Sequence, residues 1–324
     1  MEHVRIALLS NPRSTGNIAQ LPRIREYCAE HPDIFHYEVD EVAQIGNALK
    51  MIARIKPTIL VINGGDGTVQ AALTEVHNGG HFADGAPPLA VLPSGKTNLI
   101  ALDLGAEGDP IAALEKLTEI AARDLSPHLV AKELIALRHG GDDQLPVIGM
   151  FLGGAGLADI MLYCRHKLYP TGLPNGICHV LTAIAVLFQN IFGMRGSYLP
   201  PAPSEMGIGI DRERRLTGRF SLLLVTTLDK LLLSRDLEGN GKGGLKVIAV
   251  EEKRFTLLRA IAASLRGKLG KKPLDGVHVT ESDEVSIEGG MSPVILDGEM
   301  FSASEGRPIL LRKAQPLSFV KIAA

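Results

Sequence analysis

Cysteine is scarce in this chain of 324 residues, and Cys28, Cys164 and Cys178 have no spacing typical of metal ligands. Such a small, odd number favours a protein of a reducing cytoplasm over a disulfide-linked one. Excess charge is lacking too, because 34 basic and 36 acidic residues leave a formal net charge of −2. This near balance argues against a nucleic-acid-binding protein, although it leaves room for a local basic patch.

A secretory signal is also lacking. The first apolar run, from Ile6 to Leu9, is too short for a signal peptide, so we expect a cytoplasmic protein. The segment 176–194 carries no formal charge and approaches the minimum length of a membrane span. Because it contains His179, Gln189 and Asn190, we expect a core helix or a membrane-facing helix rather than a span.

The composition is that of an ordinary globular protein, with 45% hydrophobic and 22% charged residues, and the length favours two domains. Apolar strand patterns alternate with helical patterns up to about residue 126, which is typical of a parallel sheet covered by helices. Short strand-like runs dominate afterwards. We therefore predict an α/β N-terminal domain with a parallel sheet over 1–126. A mainly β, sandwich-like C-terminal domain follows over 127–324, and its last residues could pack back on the first domain.

One stretch, "TILVINGGDGTVQAALTEV" over 58–76, predicts a buried strand, a glycine turn and a helix. A strand that turns on glycines into a helix presents backbone N–H groups that can hold a phosphate. Asp66 lies in the middle of this turn, where its negative charge would repel a phosphate.

Two explanations of Asp66 are compatible with the residues. A carboxylate beside a triphosphate is tolerated when a cation such as Mg²⁺ lies between them, or when the carboxylate accepts a proton from an incoming hydroxyl. The alternative is an N-cap of the helix, which stabilises a helix by about 1 kcal/mol. One aspartate could do both.

A second pair of carboxylates occurs in "VILDGEMF" near the C-terminal end. If a strand continues through this stretch, Asp297 and Glu299 lie on the same side of it, because side chains alternate along a strand. Two such carboxylates could orient metal-bound water and take a proton from a hydroxyl. The alternative is a type I′ hairpin, for which Asp-Gly is a strong signal.

Four motifs together resemble the catalytic-domain family of diacylglycerol kinases, which includes bacterial lipid kinases and is related to sphingosine kinases. They are "NPRSTGN" at 11–17, "GGDGT" at 64–68, "PSGKTNLIA" at 93–101 and "DGE" at 297–299. The resemblance implies two domains with ATP held between them. It also implies Mg²⁺-dependent transfer of the γ-phosphate to the hydroxyl of a lipid substrate.

The resemblance also implies roles for particular residues. Glu299 would be the catalytic base, supported by Asp297, and Asp66 would be a further catalytic group. Asp66 and Asp297 would hold the metal. The residues expected to bind the nucleotide are Asn11, Arg13, Ser14, Gly64, Gly65, Asp66, Gly67, Thr68, Gly95, Lys96, Thr97 and Asn98.

Three positions depart from the family pattern, namely Lys96, Leu99 and Gly153, where the family often has Thr or Ser, Asp, and Asn. They leave open a catalytically weak or inactive nucleotide- and lipid-binding protein, and also a kinase of a small soluble alcohol. "AVLPSGKT" over 90–97 also fits a loose P-loop, but Val91 to Pro93 have the character of a strand end. An NAD kinase shares GGDGT, yet the signature that should follow it is not visible.

The stretch 253–272, "KRFTLLRAIAASLRGKLGKK", holds seven basic residues and no acidic one. Leu258, Ile261, Leu265 and Leu269 recur in it at helical spacing, which is typical of a basic amphipathic helix at an anionic membrane surface. The alternative is a helix that packs its leucines on the sheet. We expect peripheral membrane contact and no nucleic-acid partner, and a homodimer stays open.

Overall fold

The computed structural model describes residues 5–95, 98–139, 144–164, 202–211, 214–229, 244–289, 293–303 and 307–322. Its contacts divide the chain into two units. The first comprises residues 1–136, 145–150 and 314–324, and the second comprises residues 137–144 and 151–313.

The first unit alternates strands with helices, as its sequence pattern predicts. In chain order it contains β1 (Ile6–Ser10), α1 (Asn17–Glu30), β2 (Ile34–Glu38), a 3₁₀ turn (Val42–Gln44), α2 (Ile45–Ile55), β3 (Ile59–Asn63), α3 (Asp66–Asn78), β4 (Leu89–Val91), α4 (Leu99–Asp103), α5 (Pro110–Ala121), a second 3₁₀ turn (Ser126–His128), the start of β5 (Leu129–Arg138) and β6 (Val147–Gly149).

The strands of the first unit form a parallel sheet in the order β2-β1-β3-β4. All five residues of β1 and all five of β3 are buried, since helices pack against an inner parallel strand on both faces. The carboxyl ends of parallel strands lie at one edge of the sheet, which is where ligands bind in such folds. The predicted α/β architecture with a parallel sheet is confirmed.

The second unit is mostly β, as predicted. Its elements are β7 (Phe151–Gly154), α6 (Gly156–Tyr163), β8 (Glu205–Ile210), β9 (Arg214–Thr226), β10 (Leu245–Glu251), α7 (Thr256–Leu265), β11 (Val277–Ser282), β12 (Glu284–Glu288), β13 (Pro293–Leu296), β14 (Glu299–Ser302) and the start of β15 (Ile309–Val320).

The long strand β9 joins two sets of antiparallel strands in the second unit. Its first half pairs with β8, which continues to β12 and β15. Its second half pairs with β7 and β10, and β7 continues to β13 and β14.

Two strands contribute residues to both units. The change of unit falls inside β5, between Ala136 and Leu137, whereas the sequence predicted a boundary at 126. Strand β15 ends in the first unit, where Phe319 pairs in parallel with Leu89 of β4. The assignment of functions to two domains stays a prediction.

Among the described residues, no helix is long and apolar enough to cross a membrane. The uncharged segment 176–194 lies outside the described residues, as does Cys178. Neither of the two described cysteines, Cys28 and Cys164, forms a disulfide with a described residue.

Candidate functional site

Three of the predicted motifs follow the carboxyl ends of neighbouring strands in the first unit. Residues 11–16 follow β1, residues 64–65 follow β3 and residues 92–98 follow β4. Because β1, β3 and β4 are parallel neighbours, the three loops leave the sheet at the same edge.

Buried amide side chains tie the first two loops together. Asn11 donates from Nδ2 to Thr68 Oγ1 at 2.9 Å. Asn17 donates from Nδ2 to the backbone carbonyls of Asn11 at 2.8 Å and Asn63 at 3.1 Å. All four side chains are buried, and buried polar groups stabilise a fold when they find partners of this kind.

Close backbone contacts bring in the third loop. A Cβ atom added to Gly16 would overlap the carbonyl oxygen of Ser94, so only glycine fits there. Ser14 donates from Oγ to the same carbonyl at 3.3 Å. Its Oγ would lie 3.3 Å from a Cβ on Gly65. The described residues of the loops 11–17, 64–68 and 93–98, called here the three-loop site, are thus in van der Waals contact.

Asp66 is the first residue of α3, and the N-cap position belongs to Gly65. The alternative explanation of Asp66 as an N-cap is therefore wrong by one position, although a carboxylate in the first turn still favours the positive end of the helix. Asp66 is half-buried, as are Gly65 and Gly67 beside it. Only glycine fits at position 64, because a Cβ added to Gly64 would lie 2.6 Å from Cβ of Thr68.

The third loop is closed by Asn98, which has a left-handed backbone with φ of 52° and accepts the N–H of Gly95 on Oδ1 at 2.6 Å. A Cβ on Gly95 would lie 3.4 Å from Cα of Gly65 and 3.6 Å from Oδ1 of Asp66. Gly95 therefore lies beside the acidic turn. Lys96 and Thr97, predicted to bind the nucleotide, lie outside the described residues.

A second layer of polar residues supports the strand ends. Asn63 donates from Nδ2 to Ser10 Oγ at 2.9 Å, and Nε2 of His36 lies 2.8 Å from the same oxygen. Burial lowers the pKa of His36, against the opposing effect of Glu38, so the imidazole stays neutral near pH 7. A neutral ring suits a hydrogen bond to a serine hydroxyl.

Helix α4, which follows the third loop, is anchored by a buried ion pair. Nζ of Lys132 lies 2.8 Å from Oδ2 of Asp103, and the two side chains are 8% and 1% exposed. An ion pair so deeply buried has a definite geometry, because separating the charges is costly in a low dielectric. The pair holds the end of α4 against the start of β5.

The fourth motif lies in the second unit as a two-residue hairpin turn. Leu296 of β13 pairs with Glu299 of β14, and Asp297 and Gly298 between them have φ of 43° and 91°. Positive φ at both central positions is the mark of a type I′ turn, so the alternative of a hairpin is confirmed.

The hairpin changes the relation between the two carboxylates. Asp297 is buried, accepts the N–H of Phe151 on Oδ1 at 3.0 Å and donates its own N–H to the Phe151 carbonyl at 2.9 Å. Glu299 is exposed at the start of the next strand. The premise that both lie on one face of a continuous strand is wrong, because the strand ends at Leu296. Their predicted roles stay predictions.

Metal ligands do not cluster in the part of the chain that the structure describes, where no group of three or more His, Cys, Asp or Glu side chains could hold an ion.

Gly153 in β7 is one of the positions that depart from the family pattern. A Cβ added to it would lie 3.0 Å from Cδ2 of Leu157. A larger residue would need that leucine to move.

Sequence reasoning assigned no role to Gly16, Asn17, Asn63 and Ser94, although they hold the three-loop site together. A signal for two of them was available: Asn63 ends an otherwise apolar strand, and Asn17 belongs to a quoted motif. No local pattern marks Ser94 as the neighbour of Gly16, because that contact joins residues far apart in the chain.

The comparisons with known proteins agree with this geometry. Residues 5–128 match the family model of the diacylglycerol kinase catalytic domain, which confirms the resemblance over that part of the chain. A crystal structure of a diacylglycerol kinase from Bacillus anthracis str. Sterne has 16% sequence identity and a TM-score of 0.61, covering 99% of this chain and 98% of that one. A protein from the same strain, provisionally named a diacylglycerol kinase, has 17% identity and a TM-score of 0.64 with the same coverage. At such identity these structures support the fold alone. No curated protein matches the chain significantly.

Proposed function

We propose, from the match of residues 5–128 to the diacylglycerol kinase catalytic domain, that this chain is an ATP-dependent lipid kinase. It transfers the γ-phosphate of ATP to the hydroxyl of a diacylglycerol-like lipid. The observation that carries the proposal is the meeting of three motif loops around Asp66, at the amino end of α3 and the carboxyl edge of a parallel sheet.

The three-loop site fits the phosphates of a nucleotide. Gly65 and Gly67 flank Asp66 and are only half-buried, so the backbone of the turn is open to a ligand without a Cβ in the way. The first turn of a helix also has N–H groups that lack intrahelical partners and a positive dipole end, which together favour phosphate oxygens. The exposed side chain of Arg13 in the first loop could add positive charge.

The same site fits Mg²⁺ only with help from the substrate. Asp66 is a single carboxylate, and the described residues contain no three-residue ligand group around it. Mg²⁺ in kinases is often held by one or two carboxylates together with phosphate oxygens and water, so one aspartate is sufficient in that setting. The bound ion would neutralise charge that develops on the phosphate oxygens.

Glu299 is our candidate for the base that takes the proton of the attacking hydroxyl. Its side chain is exposed at the start of β14, so an acceptor can approach it. In this proposal Asp297 holds the turn through its bonds with Phe151, and thereby positions Glu299. Its predicted second role, as a metal ligand, would use the remaining capacity of that carboxylate.

The lipid acceptor is assigned in this proposal to the mostly β second unit, and the enzyme would work in the cytoplasm at the surface of a membrane. A weaker candidate is a catalytically weak or inactive nucleotide- and lipid-binding protein. Gly153 favours it, because the family often has Asn at this position and here no polar side chain is available.

The test is a transfer assay with γ-labelled ATP, Mg²⁺ and separate acceptors: diacylglycerol, monoacylglycerol, a sphingoid base, a phospholipid and glycerol. We expect label in the organic phase with at least one lipid and none without Mg²⁺. Label only in the aqueous phase with glycerol would indicate a kinase of soluble alcohols. ATP binding without transfer to any acceptor would indicate the inactive binding protein.

A further inference from the structure

Helix α7 and the residues on either side of it form a basic segment, 253–272. Only part of its apolar surface packs on the rest of the second unit. Ala260 belongs to a core cluster with Leu224 and Ile248, and Leu257 and Leu269 pack against this cluster. Of the leucines and isoleucine predicted to form the apolar face, Leu269 alone packs against it. The face that packs inward is therefore not the face that the spacing indicated.

The other apolar residues of the segment reach the surface. Leu265 is 66% exposed and Phe255 is 41% exposed, whereas Leu258 and Ile261 are half-buried. Leu258 and Leu265 are seven residues apart, so they lie about 20° apart around the helix and form one stripe. Phe255 precedes the helix and Leu265 ends it, so a large apolar side chain is exposed at each end of α7.

Exposed basic residues border this stripe. Arg259, Arg266, Lys268 and Lys272 are exposed, and none of them forms an ion pair with a described carboxylate. Arg254 lies with its guanidinium carbon 5.6 Å from the centre of the Phe255 ring. Lys253, at the start of the segment, has carboxylate partners, with Nζ at 2.7 Å from Glu251 and 3.6 Å from Asp275.

Four exposed arginines elsewhere in the described chain form ion pairs with carboxylates. Each lies within 3.0 Å of a carboxylate, in the pairs Arg23–Asp109, Arg25–Glu38, Arg215–Glu288 and Arg312–Glu284. The net charge of the whole chain is −2, so general electrostatic attraction to an anionic surface is not expected. The basic segment, with seven basic residues and no acidic one, is a local exception to this balance.

We propose that the basic segment docks on the anionic surface of a phospholipid bilayer. Leu265 and Phe255 enter the interfacial layer, while Arg259, Arg266, Lys268 and Lys272 contact headgroup phosphates. A helix with an apolar stripe beside a basic face has the chemistry of an interfacial helix. This inference rests on the proposed function, because it names the surface by which a lipid kinase would reach an acceptor held in a membrane.

The test is sedimentation of the full chain with vesicles of phosphatidylcholine alone or with phosphatidylglycerol added. We expect binding only to the anionic vesicles, weakened as salt rises. The triple variant Arg259→Gln, Arg266→Gln, Lys268→Gln should bind about 100-fold more weakly, since each basic residue near the surface strengthens binding roughly fivefold. Leu265→Ser should weaken binding about tenfold through lost apolar contact.

A matched control removes three exposed basic residues of the first unit, in the triple variant Lys50→Gln, Lys116→Gln, Arg123→Gln. Equal binding of the two triple variants would overturn the docking surface, as would undetectable binding of the unmodified chain to anionic vesicles. Circular dichroism would verify that both variants are folded.

A phosphate-transfer assay with the acceptor dispersed in detergent tests the proposed function separately from this inference. The basic-segment variant should keep its activity there, because detergent micelles need no docking on an anionic bilayer. If vesicle binding depends on 253–272 but no phosphate is transferred to acceptor in detergent or in vesicles, the docking surface is supported and the kinase activity is refuted. If phosphate transfer is normal and the variant binds vesicles as well as the unmodified chain does, the kinase activity is supported and the docking surface is refuted.

Discussion

Asp66 in the first unit lies half-buried in a turn where three loops touch, whereas Glu299 in the second unit projects from the start of a hairpin strand. Around Asp66, glycines and buried amides determine the position of the backbone. Beside Glu299, a single buried aspartate, Asp297, shapes the turn. The two regions thus present their carboxylates by different physical means.

From this difference we expect the two regions to serve different steps, namely phosphate binding and proton transfer. A site held by backbone packing suits the binding of phosphates, because its N–H groups stay in position when no ligand is present. A carboxylate on an exposed strand end suits proton transfer to a substrate that arrives from solvent or membrane. Substitutions in the two regions should therefore affect different measured quantities.

The largest expected effect is on turnover. Glu299→Gln keeps the size of the side chain but removes the proton acceptor, so turnover should fall about 10²- to 10⁴-fold with little change in ATP affinity. Asp66→Asn should lower turnover and also weaken the Mg²⁺ dependence of ATP binding. Steady-state kinetics and ATP titrations with and without Mg²⁺ would measure both.

The reverse pattern would exchange the two roles. If Asp66→Asn binds Mg²⁺ and ATP normally but loses turnover, and Glu299→Gln stays active, Asp66 is the base. If neither variant changes phosphate transfer to any acceptor, neither carboxylate is catalytic, and Asp66 only stabilises the first turn of α3.

The next effect is steric and tests the packing of the three-loop site. Gly16→Ala should lower the free energy of unfolding by about 2 kcal/mol and weaken ATP binding, because the new Cβ would overlap the Ser94 carbonyl. Gly207→Ala in β8 is the matched control, since its nearest neighbour would be a side-chain nitrogen of Arg215 at 3.5 Å. Urea unfolding of both variants checks this, and equal stabilities would contradict the close contact.

A further substitution tests whether Asp297 acts through the turn. Asp297→Ala removes the buried acceptor of the Phe151 N–H and should lower the free energy of unfolding by about 2 kcal/mol. Asp297→Asn keeps an oxygen acceptor and tolerates the left-handed backbone, so it should preserve most of the stability and, if Asp297 acts only through the turn, most of the activity. A stable Asp297→Asn variant without transfer activity would instead support the predicted metal or catalytic role.

The smallest expected effect concerns Asp159 in α6 of the second unit. Burial raises the pKa of its carboxyl from the ordinary value of 3.8 to about 6. The folded state therefore binds this proton more tightly than the unfolded state, and stability falls as pH rises from about 4 through 6. Because the side chain is only half-buried, Asp159→Asn should raise stability at pH 7.5 by no more than about 1 kcal/mol.

The advantage of Asp159→Asn should shrink between pH 7.5 and pH 5, measured by urea unfolding at both values. A gain that is constant with pH would show that the carboxyl does not titrate in this window. The opposite sign is expected at His36 in the first unit, because burial lowers its pKa, so its contribution to stability should fall as pH drops below the ordinary value of 6.5.

Much of the candidate site was predictable because its signals are local. The buried run before Gly64 predicts a strand, and Asp297-Gly298 favours a two-residue hairpin through the conformational preferences of those residues. The contact between Gly16 and Ser94 was not predictable, since it depends on how two strand ends meet. The inward face of α7 was not predictable either, because apolar residues occur on more than one side of that helix.

By itself the sequence determined the alternation of strands and helices in the first unit, the mostly β character of the second and the order of the four motifs. These follow from side-chain periodicity and from the backbone freedom of glycine, which act over a few residues. Only the tertiary structure decided that Asp66 follows the N-cap, that Asp297 is buried while Glu299 is exposed, and that Leu265 faces outward. Burial is set by neighbours distant in the chain, so no local pattern contains it.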